Sequence, residues 1–257
     1  MIDSHVHLDD RRFKRDRDFL IRSLEKNGVD YVVNIGVDLR SSKDSVLLSK
    51  KYDNVYATIG VHPHEAKNYT QEVEDGLRHL AKEEKVVAFG EIGLDFYYDN
   101  SPRDIQIEVF ETQLELAEEL GLPIVIHSRE AAKPTFDRIK AHIEKYPNSK
   151  FLIHCYSGSV EMMKDYTDLG CYIALGGVVT FQNAKVPKEV AKQVPLDKLI
   201  LETDSPYLTP DPFRGRRNEP MYVKFVAEKI AKIKGISVGE LVEHTDKNTN
   251  TFYGIKG

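Results

Sequence analysis

Eight short apolar runs divide the chain, and longer segments with helical periodicity separate them. Several runs are continuous aliphatic stretches, such as residues 124–126, which is typical of strands buried on both faces of a parallel sheet. We therefore predict eight strands, at residues 1–7, 31–37, 55–62, 86–95, 123–128, 151–156, 171–177 and 199–204.

The segments between these strands carry helix start and stop signals. The clearest helix has Ser101 at its N-cap, Pro102 at its first helical position and Gly121 as its C-cap. An earlier helix is predicted to end at Asn27-Gly28, directly before the second strand. The Lys-rich segment after the seventh strand predicts only a short helix.

A Pro-rich loop at residues 205–220 follows the eighth strand, and two further helical patterns come after it. These helices are predicted at residues 221–234 and 238–252, the second capped by Ser237. Regular alternation of strand and helix, with no break in composition, predicts a single domain over residues 1–257. We expect an α/β fold, a (β/α)₈ TIM-type barrel with extra C-terminal helices, which typically needs about 250 residues.

Composition narrows the class of protein. Hydrophobic residues make up 41% and charged residues 30% of the chain, as in soluble globular proteins. The two cysteines have neither metal-finger nor disulfide-scaffold spacing, so we expect a cytoplasmic protein. We expect no signal peptide or membrane segment, because the first strand begins at Met1 and no apolar stretch approaches the roughly 20 residues of a membrane helix. The net charge of −5 disfavours broad electrostatic binding to nucleic acid, although bound divalent cations could supply positive potential locally.

Candidate chemistry gathers at the ends of the predicted strands. Six of the nine histidines lie there, together with three acids. Because the carboxyl ends of parallel strands share one rim, these groups should converge in space. A ring of imidazoles and carboxylates is what a multi-metal hydrolytic site requires. The residues are His5, His7, His62, His64, Glu91, His127, His154, Glu202 and Asp204.

The first strand offers the best chelating pair. His5 and His7 are two residues apart, so their side chains share one face of the strand and could bind one ion. Glu91 ends a run that would otherwise be buried, where a carboxylate needs a metal or an ionic partner. An ion pair with Arg129 is the alternative for Glu91, whereas a carboxylate can also bridge two cations.

The remaining strand ends suggest ligands and supporting groups. His127 and His154 close adjacent strands and are predicted to share an ion. Asp204 should lie near the first strand after barrel closure, as a ligand, a general base for the attacking water, or both. Glu202, two residues earlier, is interpreted as an interior group that orients a ligand.

Two histidines and two arginines near the predicted rim are candidates for contact with the substrate. Pro63 separates His62 from His64, so the strand has ended there, and we favour substrate contact or support of a ligand over ligation. Arg129 and Arg217 could grip phosphate with their guanidinium groups, although a basic loop is equally often a solvated turn. Activated water is the only nucleophile that the sequence supports.

At this point the motifs resemble those of a known family, the TatD-related metal-dependent deoxyribonucleases of the amidohydrolase-like barrel superfamily. The resemblance runs nearly end to end. The matching segments are residues 2–9, 60–64, 90–96, 122–129, 154–159, 202–208 and 217–220. Tyr156 stands where Phe is commoner, a mild change that touches no expected ligand.

The resemblance implies a two-metal site. Its first ion would be held by His5, His7, Glu91 and Asp204, and its second by Glu91, His127 and His154, with Glu91 bridging. Asp204 would accept the proton of the attacking water. The family cleaves DNA phosphodiesters, typically with Mg²⁺ or Mn²⁺ and with Zn²⁺ also possible, so we expect a deoxyribonuclease, an exonuclease on single-stranded ends. DNA or a related phosphodiester is the expected partner, and no obligate protein partner is evident.

Two alternatives stay open. The same site could hydrolyse C–N or ester bonds, as an amidohydrolase or aminoacyl-nucleotide deacylase does. Such barrels often bridge their metals with a carboxylated lysine, whereas Glu91 is available here and no lysine ends a predicted strand. The second alternative is a metal-binding barrel without catalytic activity, which would close its coordination sphere with protein ligands.

Overall fold

Eight parallel strands form one sheet whose spatial order follows the chain order. The computed structural model describes residues 1–256, and Gly257, the last residue of the predicted domain, lies outside them. The strands are β1 (Ile2–Val6), β2 (Tyr31–Asn34), β3 (Val55–Ile59), β4 (Val86–Asp95), β5 (Ile124–Arg129), β6 (Phe151–Ile153), β7 (Tyr172–Leu175) and β8 (Leu199–Leu201).

Helices surround the sheet on the outside and alternate with the strands. They are α1 (Arg17–Ser23), α2 (Leu39–Lys51), α3 (Gln71–Leu80), α4 (Arg103–Leu120), α5 (Ala132–Lys145), α6 (Val160–Asp168), α7 (Lys185–Gln193), α8 (Val223–Lys234) and α9 (Val238–Tyr253). Short 3₁₀ turns occupy Arg11–Phe13, Glu25–Asn27, Pro63–Asn68, Gly177–Thr180, Leu196–Lys198 and Pro220–Tyr222. In residues 1–256, no helix combines the length and apolarity needed to cross a membrane.

The first and last strands meet and close the barrel. The Asp204 N–H donates to the His5 carbonyl at 3.0 Å, and the His7 N–H donates to the Ser205 carbonyl at 2.8 Å. This closure confirms the predicted TIM-type (β/α)₈ fold. It also brings the residues that follow β8 directly beside β1.

The barrel interior is sealed at one end by the last helix. Interior aliphatic residues such as Val125 and Ile200 form a hydrophobic cluster with Phe252 and Tyr253 of α9. The Tyr253 hydroxyl donates to the carbonyl of Ser4 at 2.8 Å, which ties α9 to β1. Because this plug fills the amino-terminal end of the strands, the other end is left for the polar residues.

Several helix boundaries follow the predicted signals. The Ser237 side chain accepts a hydrogen bond from the Glu240 N–H and caps α9, as predicted. Helix α7 is short, and Gly28 adopts a left-handed conformation (φ 80°) at the end of the 3₁₀ turn before β2. An extra 3₁₀ turn precedes α8, which begins at Val223 rather than at residue 221.

The predicted cap of α4 was wrong. This helix begins at Arg103, after Pro102, and Ser101 makes no capping bond. The buried Ser101 hydroxyl instead donates to the His64 carbonyl at 2.9 Å and accepts from the Lys67 N–H at 3.1 Å. Partners distant in sequence therefore outcompete the local cap.

Most strands are shorter than predicted at their carboxyl ends. Strand β8, for example, ends at Leu201 rather than at residue 204, and β6 ends at Ile153 rather than at residue 156. The reason is backbone conformation, since Cys155 (φ 45°) and Asp204 (φ 55°) are left-handed and leave the extended region. The chain turns at the points where the candidate ligands are displayed.

Candidate metal centre

Interior-facing aliphatic residues on three strands are each followed, two positions later, by a histidine or an acid. The pairs are Val125 and His127 on β5, Leu152 on β6 with His154 just after that strand, and Ile200 on β8 with Glu202 just after that strand. Alternate residues of a strand share a face, so the polar residue continues the interior column at the open end of the barrel. The same alternation builds the core and collects the site.

Glycines allow β4 to place Glu91 beside β5. Gly90 and Gly93 have φ values of 144° and 142°, which residues other than glycine rarely adopt. A Cβ atom at Gly93 would collide with the carbonyl oxygen of His127, and one at Gly90 would meet the carbonyl of Val125. The two glycines therefore permit close contact between the strands on either side of Glu91.

Glu91 lies at the middle of the cluster and contacts three strands. Its Oε1 lies 2.7 Å from His127 Nδ1 and 3.1 Å from His154 Nε2. Its Oε2 lies 3.5 Å from His5 Nε2. In the described part of the chain, the charged partners of Glu91 are histidines, and the alternative ion pair with Arg129 does not form. One carboxylate thus faces imidazoles with both oxygens.

A second acid completes the side of the cluster nearest β1. Asp204 Oδ1 lies 3.3 Å from His7 Nε2 and 3.9 Å from His5 Nε2. Three groups of side chains could each hold an ion, because within each group the ligand atoms lie within 4.8 Å of one another. These groups are His5, His7 and Asp204; His5, Glu91 and His154; and His62, Glu91 and His127.

The donor set fits divalent cations. Ligand atoms about 2.1 Å from a shared ion lie about 3 to 3.5 Å apart at octahedral or tetrahedral angles, close to the separations here. His5 gives an independent sign, because it is fully buried and neither ring nitrogen has a hydrogen-bond partner among residues 1–256. Buried polar atoms are normally paired. A metal ion bound to His5 Nε2, the nitrogen that faces Glu91 and Asp204, would satisfy that atom.

His62 lies closer to the cluster than the sequence suggested. Its Nε2 is 3.6 Å from Glu91 Oε1, so it could act as a ligand as well as a supporting group. Its Nδ1 accepts a hydrogen bond from the backbone N–H of His64 at 3.1 Å. The turn after β3 therefore orients the His62 ring toward Glu91, while the His64 ring contacts Asp95.

Asp95, at the end of β4, is a site residue that the sequence reasoning missed. Its Oδ2 lies 2.7 Å from His64 Nε2 and 3.3 Å from His127 Nε2. Its Oδ1 accepts the backbone N–H groups of Tyr97 and Tyr98, each at 3.0 Å. The available signal was its place four residues after Glu91 in the same apolar run.

Glu202, interpreted from the sequence as an interior group that orients a ligand, contacts His154 from the barrel interior. Its Oε2 lies 3.3 Å from His154 Nδ1, which leaves the opposite ring nitrogen facing Glu91. Its Oε1 accepts the Cys155 N–H at 2.7 Å and so holds the left-handed turn after β6. The carboxylate fixes both the ring and the backbone that carries it.

The electrostatics of the cluster are strongly coupled. Burial alone would raise the pKa of Glu91, but the charges of His154 and His62 outweigh it and hold that pKa well below its usual range. Burial would lower the pKa of His154, yet Glu202 and Glu91 raise it well above its usual value. For His5, burial and the nearby charge of His154 lower the pKa. Glu91 is therefore ionised, and protons and metal ions compete for the imidazoles around it.

Comparison with known proteins decides the family. The chain matches the sequence model of TatD related DNases over residues 2–254, which is nearly its whole length. This chain belongs to the TatD-related DNase family. The resemblance of the motifs is thereby confirmed.

Relatives support the family at the level of sequence and structure. The metal-dependent hydrolase YabD of Bacillus subtilis is 40% identical over 255 residues, with 99% of each chain covered. The 3'-5' ssDNA/RNA exonuclease TatD of Escherichia fergusonii is 34% identical, again with 99% of each covered. The crystal structure of YJJV, a TatD homolog from Escherichia coli K12, has a TM-score of 0.93 at 27% identity and covers 100% of this chain and 98% of its own. This chain is accordingly a metal-dependent hydrolase of the TatD family.

The two arginines suggested by sequence have different surroundings in this TatD-family barrel. Arg129 is exposed at the end of β5, with its guanidinium group over the rings of Tyr97 and Tyr98. Arg217 donates to both carboxylate oxygens of Asp16 at 2.7 and 2.6 Å and to Glu219 at 2.9 Å. Both terminal nitrogens of the guanidinium group are used within the protein, so a bidentate grip on phosphate by Arg217 would require these bonds to break.

The neighbour of Arg217 has a structural role at the TatD-family site. The buried Asn218 side chain donates to the carbonyls of Thr203 and Tyr207, at 2.9 and 2.6 Å. These two carbonyls flank Asp204, so Asn218 fixes the turn that displays the acid. The long loop after β8 therefore folds back to support the metal centre.

Proposed function

We propose that this protein hydrolyses phosphodiester bonds at the ends of single-stranded DNA, using two divalent cations and an activated water molecule. The observation that carries the proposal is Glu91, whose Oε1 faces His127 and His154 and whose Oε2 faces His5 at the open end of the barrel. A carboxylate so placed is suited to bridging two ions. The relative named as a 3'-5' ssDNA/RNA exonuclease supports the choice of substrate.

The proposed ligands divide around Glu91. One ion would be held by His5, His7, Glu91 and Asp204, and the other by Glu91, His127 and His154, with His62 as a further candidate. The contacts of the carboxylate oxygens support this division, because Glu91 Oε1 faces His127, His154 and His62 while Oε2 faces His5. Divalent ions in these positions would lower the pKa of water and neutralise charge on the phosphoryl oxygens. Carboxylates suit Mg²⁺ and Mn²⁺, while the high share of imidazole also admits Zn²⁺.

Asp204 is assigned to accept the proton of the attacking water at a carboxylate oxygen. Burial would raise the pKa of Asp204, but its hydrogen bond with His7 and the charge of His154 lower it, so the carboxylate is ionised. The side chain is partly accessible at the rim, whereas Glu91 is buried. Asp204 is therefore the acid that a water molecule and a substrate can reach together.

The surroundings leave room for a nucleotide. A cavity of about 370 Å³ borders His154, and its wall includes Ser128, Glu130 and Ser157. Apolar groups such as Met162 share the wall with these polar side chains, a mixture that suits a nucleotide with an apolar base face and hydrogen-bonding edges. We place the nucleotide next to the scissile phosphate at this end of the barrel.

The test is hydrolysis of an end-labelled single-stranded DNA oligonucleotide by metal-stripped protein supplied with Mg²⁺, Mn²⁺ or Zn²⁺. Asp204→Asn is expected to lower kcat by about 100-fold or more, because a positioned general base contributes about 10²- to 10⁴-fold. His127→Ala should lose activity through loss of metal. His244→Ala, at an exposed position on α9, is the matched control and should retain it.

The products separate the possible outcomes. A ladder that shortens one nucleotide at a time from one end supports the exonuclease, and internal fragments would instead indicate an endonuclease. Failure to cleave DNA with any of the three ions, by folded and metal-loaded protein, would overturn the proposal. A panel of amide and ester substrates, including aminoacyl nucleotides, would then be the next measurement.

A further inference from the structure

Two adjacent tyrosines are exposed at the rim of the barrel, where β4 ends. The side chains of Tyr97 and Tyr98 are 59% and 52% accessible, among the most exposed large rings in the described chain. A scattered exposed ring needs no explanation, but these two are contiguous and lie beside a candidate catalytic centre. Their position calls for a role in binding.

Arg129 joins the two rings into one surface. The rings meet edge to face with centroids 4.9 Å apart. The Arg129 guanidinium lies 4.2 Å from the Tyr97 centroid and 4.7 Å from the Tyr98 centroid, within the range of cation–π contacts. We name Tyr97, Tyr98 and Arg129 the tyrosine platform.

The backbone beneath the tyrosine platform is fixed before any ligand arrives. Asp95 Oδ1 accepts the N–H groups of both tyrosines at 3.0 Å. From α4, Arg103 donates to Asp99 at 2.8 Å and to the Phe96 carbonyl at 3.0 Å. An ordered surface loses little conformational entropy on binding, which favours a binding role.

The tyrosine platform is directly connected to the metal centre. The Tyr98 ring lies edge to face with His64, with centroids 5.4 Å apart. His64 is bonded to Asp95, whose same oxygen also lies 3.3 Å from His127 Nε2. A substrate whose phosphate reaches His127 would therefore carry its neighbouring groups past these rings.

We propose that the tyrosine platform stacks a nucleobase of single-stranded nucleic acid and so positions the strand beside the metal centre. The inference rests on the proposed nuclease function and names a specificity surface for it. Aromatic rings next to a cationic side chain form the stacking surface used by proteins that bind single strands, and every base presents a π face to it. Three side chains are too small a patch for a stable protein interface, which needs about 800 Å² on each partner.

The test compares two labelled oligonucleotides of equal length, oligothymidylate and the same backbone with abasic residues. Wild-type protein is expected to favour oligothymidylate in kcat/KM by about tenfold or more, the size of one or two stacking contacts. In Tyr97→Ala/Tyr98→Ala this preference should fall to near unity. Tyr97→Phe/Tyr98→Phe keeps both rings and should keep the preference.

Phe19→Ala, which removes a ring that is 77% accessible on α1, is the control for loss of an exposed aromatic side chain. A preference that persists in the double alanine variant overturns the inference, including when activity on both oligonucleotides falls equally. If the wild type cleaves neither oligonucleotide, the nuclease proposal fails separately. Because neither oligonucleotide is cleaved in that case, their binding can be measured by fluorescence anisotropy with Mn²⁺ present. The ratio of the two affinities, in the wild type and in Tyr97→Ala/Tyr98→Ala, then tests the tyrosine platform.

Discussion

At the scale of single residues, one buried carboxylate connects the parts of the site. Asp95 holds two histidines with one oxygen and the backbone of the Tyr97–Tyr98 turn with the other. Burial would raise the pKa of Asp95, but its bonds to His127 and to the Tyr98 N–H lower it, so it is ionised. Groups that orient a ligand in this way often matter nearly as much as the ligand.

Replacing the Asp95 carboxylate with an amide of the same shape isolates the contribution of its negative charge to metal binding. Asp95→Asn can still accept the two backbone N–H groups while it loses the ionic contact with His64 and His127. We expect metal affinity to fall about 10- to 100-fold, the usual cost of losing such a partner. Titration of metal-stripped protein with Mn²⁺ by calorimetry measures the change. The exposed Asp75→Asn on α3 serves as control, and equal affinity in both variants would contradict this role.

At the scale of elements, the contact between β4 and β5 depends on glycine. Gly93→Ala places a methyl group against the His127 carbonyl at a φ of 142°, so the strands must separate. We expect a loss of about 3 kcal/mol or more in the free energy of unfolding, the combined cost of strain and lost packing. Urea denaturation of metal-stripped protein measures it.

The control for this substitution is another glycine with a positive φ. Gly121 ends α4 at φ 66°, and a Cβ atom there would meet nothing within 4 Å. Gly121→Ala should therefore lose only about 1 to 2 kcal/mol, the intrinsic cost of the left-handed conformation. Equal losses at Gly93 and Gly121 would show that close approach of the strands contributes nothing beyond backbone strain.

Strand alternation explains why so much could be predicted at this scale. The interior position of Val125 puts His127 at the rim, and the same parity links Ile200 to Glu202, so pattern alone brings these site residues to one end. The wrong cap at Ser101 and the unrecognised role of Asp95 have a common cause. The side chains and carbonyls that decide both roles, at His64 and His127, come from other parts of the chain, so the local sequence does not identify these contacts.

At the scale of the whole molecule, the two ends of the barrel have opposite chemistry. Phe252 and Tyr253 of α9 fill one end with apolar side chains, while acids and histidines line the other. A net charge of −5 would repel a nucleic acid approaching such an acidic rim. Bound cations would reverse the local potential, so metal loading should control substrate binding as well as catalysis.

The same charge balance predicts how stability depends on pH and metal. In metal-free protein Glu202 and Glu91 raise the pKa of His154 well above its usual value despite burial, and Asp204 similarly helps to raise that of His7. A raised histidine pKa adds stability that is complete below the unfolded value of about 6.5 and is lost as pH rises through the folded pKa. Above it, the buried carboxylates lose their cationic partners unless a metal ion replaces the proton.

We therefore expect the Tm of chelator-treated protein to fall as pH is raised from about 6 to about 9, across the upper side of the usual histidine pKa. Added Mn²⁺ should stabilise most at high pH, because free ion at about 100 times its Kd contributes about 2.7 kcal/mol and protons compete least there. Glu202→Gln removes one of the acids that raise the pKa of His154, so its metal-free Tm should depend less on pH. Calorimetric scans with and without Mn²⁺ measure both effects. If Tm depended on pH equally with and without Mn²⁺ and in Glu202→Gln, the histidines and acids of the rim would not share their protons as the geometry requires.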